Sequence, residues 1–540
     1  MTKRALIHVE DTDGIVEFAQ YLTASGWTIL TANKTEELLR KNHVPVTREM
    51  ALSADIAYAH DISKVITSIV STSLNSEVSF NQSSELIDGN IYIVCINMDP
   101  FYYMDSQRFD IKTCDYRISS ILRYAFYNHE NVLVLTDPAD YKEAMIQLKT
   151  DNITPEFRTY IAQKALNLVA AYDAGVAGSL KYNTSQKKYF PTFACYPLKF
   201  QSLLKHGTNK QQSAAFYRLP EEKEYSSFAN CNYTDLDYAL FKDISLSWEI
   251  LNNLYSNLKT QFTVPSTNVD NYDFTTQFTP LAGTVFTFAI KFGNILGASI
   301  ATNIVDSYAK TYIYDTQHVE DAILGCSAVI DQNAATKIME GKFIAIVAPD
   351  FTDDAKKIFA QNKNLKLIYS TKQNRSDFEA RFVFGGFLIQ TNERSLFDHW
   401  YIKTKNRPSQ IKSDELAFGM LLALKTRSYS AILIKQNAVV GISQGCPSME
   451  KALGEVHYHV TSTTIMHNGN ADFNPTDNPI ADVLVCDEKI RFGEEIIRLV
   501  NLGLSTIIET GGSVDDKELI DFCEEHNVSL IFTGMSHISL

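Results

Sequence analysis

The sequence predicts an α/β protein with more than one domain. Three observations lead there. Short apolar runs alternate with stretches of helical spacing from the first residues onward, the pattern of a parallel sheet with covering helices. The 540 residues exceed what one hydrophobic core serves, so roughly two to four domains are expected. Hydrophobic residues make up 45% and charged residues 21%, ordinary proportions for a soluble globular chain.

Taken in order, Arg4–Val9 reads as a strand and Asp11–Gly14 as a turn. Ile15–Thr23 places Ile15, Val16, Phe18, Ala19 and Leu22 at helical spacing, and Gly26 stops that helix. Trp27–Leu30 is a second strand and Thr35–Lys41 a second helix. Asn90–Asn97 and Asn131–Thr136 read as further buried strands, and Asp137–Leu148 as a helix. Glu156–Asp173 is a long amphipathic helix that closes the first domain. Ser68–Ser84, rich in Ser and Asn, reads as a surface loop. The second part begins near Pro191, dividing the chain into 1–190 and 191–540. There Val285–Lys291, Phe343–Val347, Leu365–Tyr369 and Phe382–Gln390 are strand-like, and Asp414–Leu424 is a helix with an acidic start. Ala431–Lys435 and Ala438–Ile442 form a hairpin turned at Gln436–Asn437. Gly454–Pro475 is polar and His-rich and reads as an excursion from the core. Strands at Ala481–Val485, Thr506–Glu509 and Ser529–Thr533 then alternate with helices Glu494–Gly503 and Asp516–His526. Two similar halves within residues 195–540 fit this order, although no short fixed repeat is visible.

The net charge of -14 argues against a nucleic-acid partner, while a local Lys or Arg pocket remains open to a small anion. Eight scattered cysteines without a C-x-x-C pair point to a reducing compartment rather than to zinc or disulfides. Met1–Leu6 lacks the apolar run of a signal peptide, and no stretch of about eighteen apolar residues suggests a membrane span. A cytoplasmic protein is expected. His457, His459 and His467 lack the partner spacing of a metal site and read as residues of a polar loop, so no metal is expected. Neither a phosphate-binding G-x-x-x-x-G-K-[ST] loop nor a G-x-S-x-G elbow is present.

The stretch from Leu204 to Tyr217 carries more information. Leu204, Gly207, Asn209, Gln212, Ala214, Ala215, Phe216 and Tyr217 match the L-R-Y-G-E-N-P-H-Q-x-A-A-F-Y signature of the AICAR formyltransferase/IMP cyclohydrolase (PurH) family. Lys205, His206, Thr208, Lys210 and Gln211 depart from it. The chain resembles that family along its length. Ala5–Leu39 is similar to the family's opening, Cys95–Phe101 to its N-L-Y-P-F turn and Asn131–Tyr141 to its D-P-x-D-Y segment. Ile290–Ser299 resembles I-K-H-x-N-P-C-G-V-A, and Ala348–Ala355, Gly385–Gln390, Gly511–Asp516 and Phe532–Met535 resemble later landmarks. The resemblance implies a methylglyoxal-synthase-like first domain holding the cyclohydrolase. It also implies a transformylase region of two cytidine-deaminase-like subdomains, with sites completed across a homodimer interface. AICAR or IMP would be the nucleotide ligand and 10-formyltetrahydrofolate the co-substrate of an active member, with no covalently bound cofactor.

The departures fall on the chemistry. Cyclohydrolysis needs a phosphate cradle, which backbone N–H groups supply in Gly-rich turns. Where the family has S-x-S-D-K-T-G, this chain has His8, Glu10, Asp11, Thr12, Asp13 and Gly14, gaining carboxylates and losing a lysine. The S-T-G-G-T turn becomes Thr31–Thr35 without glycine. The R-V-K-T-L-H-P segment aligns loosely with Lys64–Val70 and lacks its lysine and histidine. Asp99 and Tyr127 replace a tyrosine and a later lysine. Asp115 and Arg123 survive, but Arg117 and Ile118 replace the glycine pair after the aspartate. A helix-capping Asp115 and a surface salt bridge at Arg123 explain these two equally simply.

Formyl transfer needs a group to manage the amine proton. Lys291 is retained, but the family's two histidines are Phe292 and Gln211, neither a proton carrier. His206 lies close in sequence but at the tyrosine position. Lys291 also reads as a strand-end lysine reaching solvent. For nucleotide binding, Asn232, Asn294, Gly297, Asp516 and His537 match, and Lys205 replaces an arginine as a point charge. Ser536 replaces another arginine, removing a planar donor fork. His318–Ala322 is acidic where the family has S-A-F-G-G, and Cys446 and Met449 replace the glutamine and arginine of G-Q-x-S-R. Gly511–Gly512–Ser513 before a helix fits an anion site or a plain connection.

The expectation is a diverged, catalytically impaired homologue that keeps a dimeric scaffold and binds a ligand or a partner, such as an intact paralogue. The alternative is a working enzyme of the same pathway with weak formyl transfer through Lys291, Asn232 and Asp516. A third reading is a transferase turned to a different substrate.

Overall fold

The computed structural model describes residues 3–49, 52, 62–70, 90–98, 114, 116–179, 190, 192–218, 233–257, 262–263, 277–278, 283–314, 319–369, 378–392, 395–396, 401–407, 413–468 and 481–539. The chain divides into two compact units, Met1–Gln201 with Phe216–Glu224, and Ser202–Ala215 with Tyr225–Leu540.

The first unit alternates strand and helix: β1 (Arg4–His8), α1 (Ile15–Ala24), β2 (Thr28–Thr31), α2 (Asn33–Lys41), β3 (Thr47–Arg48), α3 (Ile62–Val70), β4 (Ile91–Ile96), α4 (Tyr116–Tyr127), β5 (Leu133–Leu135), α5 (Tyr141–Lys149) and α6 (Pro155–Ser179). Its strands form one parallel sheet in the order β3-β2-β1-β4-β5. Successive side chains of a strand point to opposite faces, so Ala5 and Ile7 join Phe18 and Leu22 on one face. Leu6 and Val94 join Val65 and Ile121 on the other. Burial on both faces explains why these strands are almost continuously apolar. The chain leaves β1 toward β2 on one side and returns through β4 on the other. The topological switch point therefore lies at the carboxyl ends of β1 and β4, where open α/β sheets bind ligands. One expectation is corrected at its start: Ser68–Val70 belong to α3, whose Val65, Ser68 and Ile69 are buried, and residues 71–84 of the expected surface loop lie outside the described residues.

A hairpin of β6 (Lys199–Leu203) and β7 (Ala215–Arg218) lies where the chain passes between units. There follow α7 (Tyr238–Asn257), a short pair of β8 (Phe262–Thr263) and β9 (Gln277–Phe278), and β10 (Val285–Lys291), β11 (Asn294–Ala301), α8 (Ile304–Tyr314), β12 (Ile323–Cys326), α9 (Gln332–Ile338), β13 (Ala345–Ala348), α10 (Asp353–Phe359) and β14 (Lys366–Tyr369). A separate hairpin of β15 (Phe378–Val383) and β16 (Gly386–Thr391) precedes β17 (Tyr401–Ile402) and α11 (Ser413–Ala423). Last come β18 (Ala431–Lys435), β19 (Ala438–Ser443), α12 (Met449–Asn468), β20 (Val483–Cys486), α13 (Glu494–Asn501), β21 (Thr506–Glu509), α14 (Asp516–Glu525) and β22 (Ser529–Phe532).

These strands build an 11-stranded sheet in the order β14-β13-β12-β10-β11-β19-β18-β20-β21-β22-β17. It is a duplication. A hairpin, β10–β11, followed by the parallel strands β12, β13 and β14, recurs as β18–β19 followed by β20, β21 and β22. The halves meet where β11 runs antiparallel to β19. Ile290–Ser299 and Ile434–Ser443 share I-K-x-x-x-x-x-G-x-S, and both hairpins shift register at the same point, at Ala289/Ile290 and Leu433/Ile434. Gln436 and Asn437 have φ of 49° and 65°, as a two-residue hairpin turn requires. The equivalent turn places Phe292 at φ 53° beside Gly293, an uncommon conformation for a bulky residue.

One core runs beneath both halves, with Ile244 and Leu251 of α7 and Phe418 of α11 packed on Phe286, Phe288, Ile432 and Val485. On the other face α8–α10 and α12–α14 cover their own halves. Two more expectations are corrected. Gly454–Asn468 lie in α12, where Val456 and Val460 are buried four residues apart, rather than in a polar excursion. Phe382–Gln390 is not one strand but parts of β15 and β16, turned at Phe384–Gly385. Among the described residues no helix is long and apolar enough to cross a membrane.

Candidate functional site

At the switch point of the first unit, the loop after β1 has the shape of an anion cradle but its donors are taken. The amides of Glu10 and Asp11 donate to Asn97 Oδ1 at 2.7 and 2.9 Å, and Asn97 Nδ2 returns a bond to the Asp11 carbonyl at 2.9 Å. Asn97 follows β4 and is buried, so it spans the crevice between the two strand ends. The Asp13 amide donates to Asp11 Oδ1 at 3.1 Å, and Thr35 Oγ1 bridges the Val9 N–H and carbonyl at 3.0 and 3.1 Å. Beneath this loop Tyr141 stacks on Phe18 and meets Cys95, whose thiol is pushed up to about 12 by burial. Lys164 binds both Asp137 and Asp140 of the D-P-x-D-Y segment, at 2.6 and 2.7 Å. Arg123 is ion-paired with Asp173, joining α4 to α6. Asp99 and Asp115 lie outside the described residues.

In the second unit the loop from Leu204 to Ala214 closes on itself, with the Leu204 N–H donating to the Ala214 carbonyl at 2.9 Å. The Gly207 N–H donates to the Gln212 carbonyl at 2.7 Å, and Gln212 Oε1 accepts from the Asn209 amide at 2.9 Å. A Cβ at Gly207 would stand 2.5 Å from the Gln212 Cβ, so the turn requires glycine. Lys205, Asn209 and Gln211 are exposed, while His206 Nδ1 is engaged by the Gly207 carbonyl at 2.8 Å. Asn232 lies outside the described residues.

The β10–β11 turn holds Lys291, Asn294 and, further along β11, Gly297. The Phe292 and Gly293 amides both donate to the carboxylate of Asp243 on α7, at 2.6 and 2.7 Å. Burial raises the Asp243 pKa, and those two N–H groups oppose the rise. The Lys291 ammonium donates to the Glu320 carbonyl at 2.5 Å, within the acidic His318–Ala322 segment. Arg427 donates to Asn294 Oδ1 at 2.6 Å, and Gln444 bonds both the N–H and the carbonyl of Ile295. The phenyl ring of Phe292 is 71% exposed at the tip.

At the carboxyl ends of β20–β22 the pattern repeats. Asp516 accepts from the Gly512 and Ser513 amides at 2.9 and 2.8 Å, and Glu509 Oε2 accepts from Gly511 and Ile490, each at 3.0 Å. The Gly511–Ser513 loop is thus capped by the chain's own carboxylates. Asp487 accepts from Ser428 Oγ at 2.5 Å and from the Ser430 N–H at 3.0 Å, and burial raises its pKa. His537 is buried, with Nε2 against the Leu396 carbonyl at 2.7 Å, and its main chain donates to the Asp487 carbonyl. Cys446 and Met449 face the core, and the Cys446 thiol, donating to Glu455 at 3.2 Å, is pushed up to about 11 by burial.

Comparison with known proteins places these sites in context. The model of the AICARFT/IMPCHase bienzyme family matches residues 125–453, more than half of the chain. The chain belongs to this family. The bifunctional purine biosynthesis protein PurH of Clostridium acetobutylicum is 26% identical over 99% of this chain and 99% of its own length. PurH of Caldicellulosiruptor saccharolyticus is 25% identical with the same coverage. The solved structure described as the crystal structure of ForH aligns with 34% of this chain and 100% of its own at 27% identity, with a TM-score of 0.30. Within the bienzyme family, then, this is a diverged member.

The structure gathers the matching residues of this bienzyme-family chain into two groups. Lys291 and Asn294 share the first hairpin turn, and Asp516 and His537 flank the carboxyl ends of β21 and β22. Three residues that hold the candidate sites shut or charged carry no motif signal: Asp243, Arg427 and Glu509. Asn97 stands at the asparagine of the N-L-Y-P-F turn and ends an apolar strand. Among the described residues no group of three or more His, Cys, Asp or Glu is arranged to hold a metal ion.

Proposed function

We propose that this family member has lost cyclohydrolase activity, is impaired in formyl transfer, and acts as a scaffold that binds a ligand or a partner. The observation that carries the reading is Phe292, 71% exposed beside Lys291 at the tip of the β10–β11 turn, where the family has a histidine and this chain has no proton carrier. The Phe292 and Gly293 amides there are also occupied by Asp243, whose negative charge a bound phosphate would face. The five-stranded parallel sheet supports a methylglyoxal-synthase-like, cyclohydrolase-type domain over 1–190. The duplicated sheet supports a transformylase-like region of two cytidine-deaminase-like subdomains over 191–540. In this reading the protein is a cytoplasmic homodimer, takes AICAR or IMP as its ligand, and pairs with an intact paralogue where one exists.

The test is the double variant Phe292→His with Gln211→His, which restores the two proton carriers. Formyl transfer stays absent if occupied nucleotide positions also contribute to the loss. Its appearance with an unchanged fold would show that the pocket is still competent, and formyl transfer by the unaltered chain would overturn the scaffold reading. Arg427 beside Asn294 favours a second reading, because it supplies a guanidinium where a ligand anion would sit. Weak formyl transfer from 10-formyltetrahydrofolate would then run through Lys291 with Asn232 and Asp516, and Lys291→Ala would abolish it.

A further inference from the structure

The first unit has a second cavity, at the end of its sheet opposite the switch point. A space of ≈ 830 Å³ opens at the amino-terminal ends of β1, β4 and β5. Its walls include Trp27 and Tyr92, and three cations, Lys3, Lys149 and Arg158, against one carboxylate, Asp151. That local surplus of positive charge stands out in a chain of net charge -14. Arg158 is half-buried, and among the described residues the only hydrogen bond found for its guanidinium is a long one, 3.4 Å, to the His129 carbonyl. A guanidinium has five donors, so most of its capacity faces the cavity unused. Burial also lowers its pKa, as removal from water without a counter-charge does. Lys149 is exposed at the rim, and Lys3 lies over the Trp27 ring at 5.6 Å while reaching Asp151 only at 4.0 Å.

The size is that of a small-molecule site, and aromatic walls with a few convergent polar groups are what such sites use. We propose that this basal cavity binds a nucleoside monophosphate. Its phosphate lies on the Arg158 fork with Lys149 and Lys3, and its base lies against Trp27 and Tyr92. Arginine matches phosphate oxygens with two parallel bonds, and desolvation strengthens them. Because reactions on open α/β sheets occur at the carboxyl ends of the strands, a ligand here acts as an effector and not as a substrate. The inference does not depend on the state of the family's catalytic sites.

The experiment is a calorimetric titration of the full chain with adenosine 5′-monophosphate, ribose 5-phosphate and inorganic phosphate, with Trp27 fluorescence followed in parallel. Saturable binding of the nucleotide is expected, weakened by about tenfold or more in Arg158→Gln and in Lys149→Ala. Lys149 is exposed, so its variant keeps the test sound if Arg158→Gln perturbs folding. Lys34→Ala, an exposed cation beside the switch point, is expected to bind as the parent does. Absence of saturable nucleotide binding would overturn the proposal, as would equal affinity in the Lys149→Ala chain. Equal affinity for inorganic phosphate would overturn the role given to Trp27 and Tyr92.

Discussion

Replacing Glu509 by glutamine perturbs a single buried charge whose effect on stability has a defined sign. Glu509 ends β21 with none of its surface exposed. One oxygen holds the Ile490 and Gly511 amides, and Oε1 is buried with no hydrogen-bond partner among the described residues. Burial raises the carboxyl from 4.5 to about 7, with Asp516 and Glu488 adding to the rise and the two amides opposing it. Between those two values the folded chain keeps a proton that the unfolded chain has released. Stability therefore falls as pH rises through that window and levels off above it. The separation corresponds to about 3 kcal/mol once the group is fully ionised. Glutamine cannot ionise, so Glu509→Gln removes this dependence. Urea unfolding of the second unit, followed by the fluorescence of Trp248 and Trp400 in a Trp27→Phe background, measures it. The parent minus variant difference in unfolding free energy is expected to fall by about 3 kcal/mol between about pH 5 and pH 8. Asp487, also raised by burial, is present in both chains and cancels. Parallel pH curves for the two proteins would refute the reasoning.

Asn97→Ala removes hydrogen bonds of 2.7, 2.9 and 2.9 Å from the β1 loop. A loss of about 2–3 kcal/mol is expected, with faster hydrogen exchange at Glu10 and Asp11, and unchanged protection would count against the bridge. Asp243→Ala strands the Phe292 and Gly293 amides and is expected to cost about 3 kcal/mol, whereas Asp243→Asn retains an acceptor and costs less. Equal losses in denaturant midpoint would contradict the role given to Asp243 as hydrogen-bond acceptor. A Cβ at Gly325 would sit 2.1 Å from Phe288 Cζ, so Gly325→Ala is expected to lose about 1–3 kcal/mol by overpacking. Recovery in a Gly325→Ala, Phe288→Leu double variant, read by thermal unfolding, checks that cause.

The fold was legible where one physical constraint acted alone. A strand buried on both faces must be apolar throughout, so Ile91–Ile96 and Leu133–Leu135 stand out in sequence. Gln436–Asn437 marks its hairpin because both turn residues need positive φ. Helix α12 is hard to read in sequence because its buried stripe among the described residues is Met449, Ala452, Leu453, Val456 and Val460, set among polar residues and histidines. The β15–β16 hairpin was read as one strand because Phe382–Ile389 is apolar on both sides of Gly385–Gly386. The sequence suggests two similar halves without demonstrating them, because they share little beyond I-K-x-x-x-x-x-G-x-S, and strand order displays the duplication. The motifs located the candidate turns, and the replacements at Phe292 and Gln211 were readable as lost proton carriers. What fills the turns was not readable. Asp243 meets Phe292 across 49 residues, and Asn97 meets Glu10 across 87, with no local pattern to announce either contact.

The central claim is that the residues replaced at the family's sites, Phe292 and Gln211 among them, leave this chain without either activity. The most direct test is to assay both conversions with the purified protein: formyl transfer from 10-formyltetrahydrofolate to AICAR, and closure of the formylated product to IMP. The account predicts that neither product forms above a blank without protein. Formation of IMP, or formyl transfer that disappears in Lys291→Ala, would contradict it.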